Sequence, residues 1–233
     1  MPARAKGQQQ APAGRPAPRG DRRRALLDGA LIVFAADGYS RASIDAIART
    51  AGVSSRTIYN QFGDKAALFE AVIVDSAQRV AAAQIITVQR YLGKIVDIEA
   101  DLIEFGRVWA TPSPQYAPHL ALVRQIVADA GHIPQSALDA WQQAGPLAVR
   151  REIAAHLRRI ADAGHLQISD PDLAAVQLVQ LVAGDVSTRS HHGVRPLPQA
   201  EIDRVADAGV RTFLYGYAPN PPTRRRPGRT RRA

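Results

Sequence analysis

Residues 43–62, SIDAIARTAGVSSRTIYNQF, constrain this chain more than any other stretch. They divide into two short amphipathic pieces around Gly52. In the first, Ile44, Ile47, Ala48 and Ala51 recur at i, i+3, i+4 and i+7, the apolar stripe of a helix. Ser43 stands where a hydroxyl can accept an orphan N–H of the first turn. Gly52 stands where a helix ends on a residue free to take positive φ. Val53 is an apolar plug beside the turn, and Ser54 can cap a second helix over 55–61. Two helices across a short turn with glycine make the helix-turn-helix pattern. The second helix is polar on most of its surface: Ser55, Arg56, Thr57, Tyr59, Asn60 and Gln61 all carry hydrogen-bonding groups. Only Ile58 and Phe62, an i, i+4 pair, face a core. A short rod rich in donors and acceptors, pinned by two apolar anchors, suits insertion into a DNA major groove.

Charge agrees with that partner. The net charge of the 233-residue chain is +9, but it is unevenly placed. Residues 1–24 carry seven basic residues and one acid, hence +6, and 219–233 carry six arginines and no acid, hence +6; taking both ends from +9 leaves 25–218 at −3. A mildly acidic body with basic ends is the footprint of arms that touch nucleic acid. Residues 1–20, rich in Pro, Gly, Ala and Gln, are expected to be a disordered arm, either a solubilising tail or a phosphate or minor-groove contact. Residues 219–233 are expected to be a disordered basic tail.

Hydrophobic residues make up 46% of the chain, enough for a sizeable core, and there is no cysteine. No disulfide framework or thiolate site follows, which agrees with a reducing compartment; a cytoplasmic location is expected. No run of 18 apolar residues occurs, so no membrane span is expected. Catalysis finds no footing. His119, His132, His156, His165, His191 and His192 are scattered, and no His-Glu-x-x-His motif or glycine-rich phosphate loop occurs. No enzyme activity, metal or cofactor is expected.

The periodicity predicts an all-α protein, because alternating runs with hairpin turns are lacking. A first helix runs from about residue 21 to 37, with Leu27, Ala30, Leu31 and Phe34 on one side, closed by Gly38. Asp64 caps a helix that continues for ~28 residues to about 92, or ~42 Å. Further helices are expected over 95–110 and 119–130, the second with Leu120, Val123 and Val127 as its stripe. The 136–163 segment is one helix or two, since Gly145 and Pro146 kink or split it. Ser169, Asp170 and Pro171 open a helix that runs to about 190. It is apolar nearly all round, so a second subunit is its natural outer cover. The last helix, 199–217, carries Ile202, Val205, Ala206, Gly209, Val210 and Phe213 on one stripe; Gly209 is either a close-approach point or simply tolerated.

The head resembles the DNA-binding domain of the tetracycline-repressor-type (TetR) family. The residues that carry the resemblance are Ala30, Phe34, Gly38 and Tyr39, then Ser43, Ile44, Ile47, Ala48, Ala51, Gly52, Val53 and Ser54. Thr57, Ile58, Tyr59, Phe62, Lys65, Leu68 and Phe69 complete them, and the run GVSSRTIYNQFGDKAALF is highly specific. Two positions depart from the family pattern. Ala46 replaces a frequent acid, so no capping box forms with Ser43. Asn60 and Gln61 stand where basic or aromatic residues are frequent, so the base preference does not transfer.

The resemblance implies a three-helix DNA-binding head over 21–70 and a six-helix effector-binding and dimerisation body over 71–218. It implies a homodimeric regulator, a ligand-released repressor of a palindromic operator in double-stranded DNA. Ser54, at the cap of the recognition helix, is a further DNA-contact candidate, and Ser55, Arg56, Thr57 and Asn60 read base edges. Ser43, Tyr59, Gln61 and Lys65 grip phosphates, joined by one or more of Arg22, Arg23 and Arg24. For Lys65 the argument is also physical: a cation at a helix N-terminus opposes the macrodipole unless an anion approaches. A small hydrophobic or amphipathic effector is expected in the body. Phe105, Trp109, Tyr116 and Trp141 are candidate walls, each alternatively plain core, with Arg124, Gln125 and Asp129 as polar groups. The last two helices imply a four-helix dimer interface, with Leu173, Val176, Gln180, Leu181, Val205, Gly209 and Phe213 as candidates. A rival reading is an architectural protein that coats DNA non-specifically through its basic ends.

Overall fold

The computed structural model describes residues 19–219, so the expected basic arm and tail lie almost wholly outside the described residues. Among the described residues the chain is helical throughout, with no strand. The helices are α1 (Arg19–Arg41), α2 (Ile44–Ala51), α3 (Ser55–Phe62), α4 (Lys65–Leu92), α5 (Ile98–Ala110) and α6 (Ala117–Asp129). They continue as α7 (Gln135–Ala144), α8 (Pro146–Asp162), α9 (Pro171–Val179), α10 (Asp185–Arg189) and α11 (Gln199–Tyr217).

Local chemistry sets many of these boundaries. Gly38 takes φ 77° and ψ 174°, a kink that ends regular helix inside α1. Asp64 accepts the Ala67 N–H at 2.8 Å and opens α4; Asp170 accepts the Leu173 N–H at 3.0 Å and opens α9. Both carboxylates also face the positive end of a helix dipole. Gly145 and Pro146 do split the 136–163 segment, giving α7 and α8. The fifth helix starts at Ile98 rather than 95, because Asp97 accepts the N–H groups of both Glu99 and Ala100 at 3.0 Å.

Two hydrophobic cores result, and α4 serves both. The first unites Leu27 and Phe34 of α1, Ile47 of α2, Ile58 of α3 and Phe69 of α4 with Leu122 and Ile126 of α6. Phe34 and Phe69 meet edge to face at 4.9 Å. The second unites Val88 of α4 with Leu102 and Phe105 of α5, Leu157 of α8, Leu178 of α9 and Phe213 of α11. Among the described residues α4 alone is long and apolar enough to cross a membrane, at mean hydropathy 1.3 over 18 residues. Its place between two cores accounts for that composition.

One expectation about a helix face is corrected. The buried stripe of α6 is Leu122 and Ile126, whereas Val127 is 68% exposed. The helix has two apolar sides, one toward α1 and one toward a cavity lined by Leu120 and Val123, and periodicity alone cannot rank them. The 171–190 rod is continuous, but a π turn, Gln180–Gly184, interrupts α9 and α10. Leu173 and Leu181 on it are exposed, so an apolar outer side stays uncovered within the single chain.

Candidate nucleic-acid interface and interior cavity

The polar edge of α3 is held out by a few local contacts. The Ser54 Oγ accepts the Thr57 N–H at 3.1 Å and pairs with the Thr57 Oγ1 at 2.9 Å. Ile58 is fully buried beneath, and Gly63 at φ 82° ends the helix. Arg56, Tyr59, Asn60 and Gln61 are exposed together. Ser55 is half-buried and donates its hydroxyl to Asp45 Oδ1 at 2.6 Å, tying the starts of α2 and α3 together. Asp45 was not singled out in the sequence; its only signal there is an acid in the first turn of α2. Ser43 is exposed and accepts the Ala46 N–H at 3.1 Å.

The basic residues beside this edge do different things. Arg22 and Arg23 line a groove with Gly52, Val53, Thr57 and Gln61, between the start of α1 and the recognition helix. The Arg23 guanidinium lies 5.8 Å from the Phe62 ring centroid, a cation–π contact that holds it near α3. Arg24 is committed elsewhere, within 3.5 Å of Asp28 and 3.6 Å of Asp75. Arg79 closes that cluster at 2.9 Å from Asp28 and 2.8 Å from Asp75, fastening α1 to α4. Lys65 is also engaged internally. Its Nζ donates to the carbonyls of Ser40 and Ala42 at 3.3 and 3.2 Å and lies 4.8 Å from the Tyr39 ring centroid. Both carbonyls lie past the kink at Gly38, in the segment that joins α1 to α2.

Between α4, α6, α7, α8 and α9 lies a cavity of about 430 Å³. Trp109, Tyr116 and Trp141 line it, with Val80, Leu120, Val123, Val149 and Val176. Phe105 does not: it is fully buried behind Trp109, ring centroids 5.4 Å apart, and sets that indole's position. Gln125 and Asp129 do not line it either. They grip the end of α1, where the Asp129 Oδ2 accepts the Ser40 N–H at 3.2 Å. A Cβ on Gly38 would stand 2.7 Å from the Asp129 Oδ2 and 2.9 Å from the Gln125 Oε1. Arg124 donates to the His192 carbonyl at 3.0 Å. The sequence reading missed His119 and Arg150, both in the wall. Burial pushes His119 down to about 4, with the Arg79 charge acting the same way, so the ring is neutral at pH 7. Its Nδ1 pairs with the buried Ser76 hydroxyl at 2.9 Å.

The interface candidates separate as well. Phe213 is 1% exposed and Gly209 is buried, both against their own chain. A Cβ on Gly209 would collide with the Leu181 carbonyl, so the close approach at this glycine joins α11 to the π turn of the same subunit. Val205 packs on the body core and Val176 faces the cavity. Leu173, Gln180 and Leu181 are exposed.

A helix-turn-helix head fused to a helical body with an interior cavity defines a class, the two-domain transcriptional regulators. The description "Bacterial regulatory proteins, tetR family" matches residues 26–72, and "AefR-like transcriptional repressor, C-terminal domain" matches residues 110–219. The chain belongs to the TetR family of DNA-binding transcriptional regulators. It is 41% identical over 61 residues to an HTH-type transcriptional repressor of Mycobacterium tuberculosis, 26% of this chain and 33% of that one. The chain therefore spans only about a third of the length of the curated relative it matches. A TetR-family regulator structure from Mesorhizobium loti superimposes at TM-score 0.74 with 27% identity, covering 87% of this chain and all of that one. The flavonoid-responsive regulator FrrA does so at 0.63 with 29% identity and the same coverage. A TetR-family regulator from Pseudomonas syringae pv. tomato gives 0.64 with 25% identity, over 86% and 98% of the two chains.

Proposed function

We propose that this protein is a homodimeric, ligand-released repressor of a palindromic operator. The observation that carries the reading is the position of α6. One side of it lines the cavity through His119, Leu120 and Val123, and the other holds α1 through Leu122, Ile126 and Asp129. A ligand that displaces α6 tilts the head, and the spacing of two recognition helices changes with it. The ligand moves that equilibrium only by its differential affinity for the two arrangements. Arg56, Tyr59, Asn60 and Gln61 present the exposed edge to bases and phosphates, with Arg22 beside them. The second subunit docks on the outer side of α9, α10 and α11, where Leu173, Leu181 and Tyr215 are 48%, 36% and 93% exposed.

A coating protein that acts through basic ends is the competing reading, and the charge at 1–24 and 219–233 favours it. Removal of 1–18 and 220–233 separates the two. A regulator keeps its preference for one sequence, whereas a coating protein loses nearly all affinity together with its steep salt dependence.

A further inference from the structure

The cavity wall specifies the charge of what it accepts. None of its lining residues is Asp or Glu, and Arg150 is its one ionised side chain, since His119 is neutral at pH 7. Arg150, its side chain 39% exposed, is held at one edge: its Nε donates to the Asp172 carbonyl at 3.2 Å and lies 3.9 Å from the Asp172 carboxylate. Its two terminal nitrogens make no hydrogen bond among the described residues. A second chamber of about 380 Å³ shares Gln84, Trp109, Tyr116 and Leu120 with the first. Hydroxyls from Thr87, Ser113 and Ser187 line it together with His192, and it holds no Asp, Glu, Lys or Arg.

From this lining we infer that the cavity binds a flat aromatic anion, an aromatic carboxylate or phenolate. Its ring lies against Trp109 and Tyr116, its anionic group takes the terminal nitrogens of Arg150, and any uncharged polar extension enters the hydroxyl-lined chamber. A guanidinium with two free parallel donors matches a carboxylate, and a charge-assisted bond in a largely apolar site is stronger than a neutral one. A lipophilic cation meets Arg150 with no carboxylate in the wall to offset its desolvation. This inference deepens the effector reading and rests on it only for the claim that occupancy controls DNA binding.

Three probes with one ring system test it: 2-naphthoate, 2-naphthalenemethanol and 2-naphthylmethylammonium, titrated by calorimetry into the full chain at pH 7. Both tryptophans of the chain, Trp109 and Trp141, line the cavity, so loss of probe binding in Trp141→Ala, with the fold checked by circular dichroism, assigns the probe to it. The expected result is naphthoate binding about tenfold or more tighter than the ammonium compound, with the alcohol between them. Arg150→Gln brings the anion and cation affinities together while leaving the alcohol unchanged, and Arg150→Lys retains the preference. Equal binding of anion and cation, an unchanged ratio in Arg150→Gln, or no binding of any probe overturns the inference. Operator binding is read separately: naphthoate bound with the expected preference but without effect on DNA affinity keeps the ligand class and removes the effector role.

Discussion

Asp129 on α6 accepts the backbone N–H of Ser40 at 3.2 Å, and this bond joins the cavity-lining helix to the end of the first helix of the head. It sits beside Gly38, whose φ of 77° and ψ of 174° belong to a region other residues avoid. Two effects of different size meet at this joint. Asp129→Ala removes one exposed hydrogen bond, and a stability loss of about 1 kcal/mol is expected because water replaces the acceptor. Gly38→Ala forces strained backbone, about 1–3 kcal/mol, and pushes the Asp129 and Gln125 side chains aside. Urea unfolding of both variants checks the order. A larger loss for Asp129→Ala than for Gly38→Ala contradicts the account.

Gly209→Ala is expected to lower stability by about 1–3 kcal/mol or more, as overpacking against backbone does. The added Cβ meets the Leu181 carbonyl within one subunit, so the loss is independent of protein concentration. A thermal midpoint that drops only at low concentration would instead place the contact between subunits.

His119 makes stability depend on pH with a definite sign. Its folded value, about 4, lies below the ordinary 6.5, so the unfolded chain binds more protons between those limits. Its contribution is present in full above pH 6.5 and is lost as pH falls toward 4, to an upper limit of ~3.4 kcal/mol. His119→Asn removes the titrating group. The difference in unfolding free energy between wild type and variant should therefore change across pH 4–6.5 and flatten above it. A difference independent of pH would remove His119 as a titrating group in the fold.

Arg56 and Arg24 are both arginines of the head, yet opposite outcomes are expected. Arg56 is exposed on α3; its replacement by alanine should weaken the cognate site by about 1–3 kcal/mol, with a smaller loss on random DNA. Arg24 is ion-paired to Asp28 and Asp75 at a half-exposed site, so Arg24→Ala should cost less than about 1 kcal/mol of stability and leave sequence preference intact. Equal losses for Arg56→Ala on both DNAs take Arg56 out of the base-reading edge.

Much of the head was legible because its signals are local. Ser43, Gly52, Ser54, Gly63 and Asp64 each act on backbone within four residues, and the helix boundaries follow from them. Trp109, Tyr116 and Trp141 were found for the cavity because large aromatics are few. What the sequence hid depends on partners far along the chain. Gln125 and Asp129 look like cavity groups in the sequence, but both lie against Gly38, and the backbone partner of Asp129, Ser40, is 89 residues away. The carbonyls that hold Lys65, those of Ser40 and Ala42, lie 25 and 23 residues before it. The phase of α6 is ambiguous in the sequence because both of its apolar faces are used. Gly209 and Phe213 lie on a stripe that looked free for a partner, and that stripe is covered by the body of the same subunit.

The central claim is that a pair of α3 helices reads a twofold site. Selection of bound duplexes from a random pool by the full chain tests it most directly. The account predicts an inverted repeat whose half-sites are separated by about 34–36 Å or a multiple, one helical turn of DNA apart. Recovery of no shared motif, or of a lone half-site bound by a monomer, would contradict it.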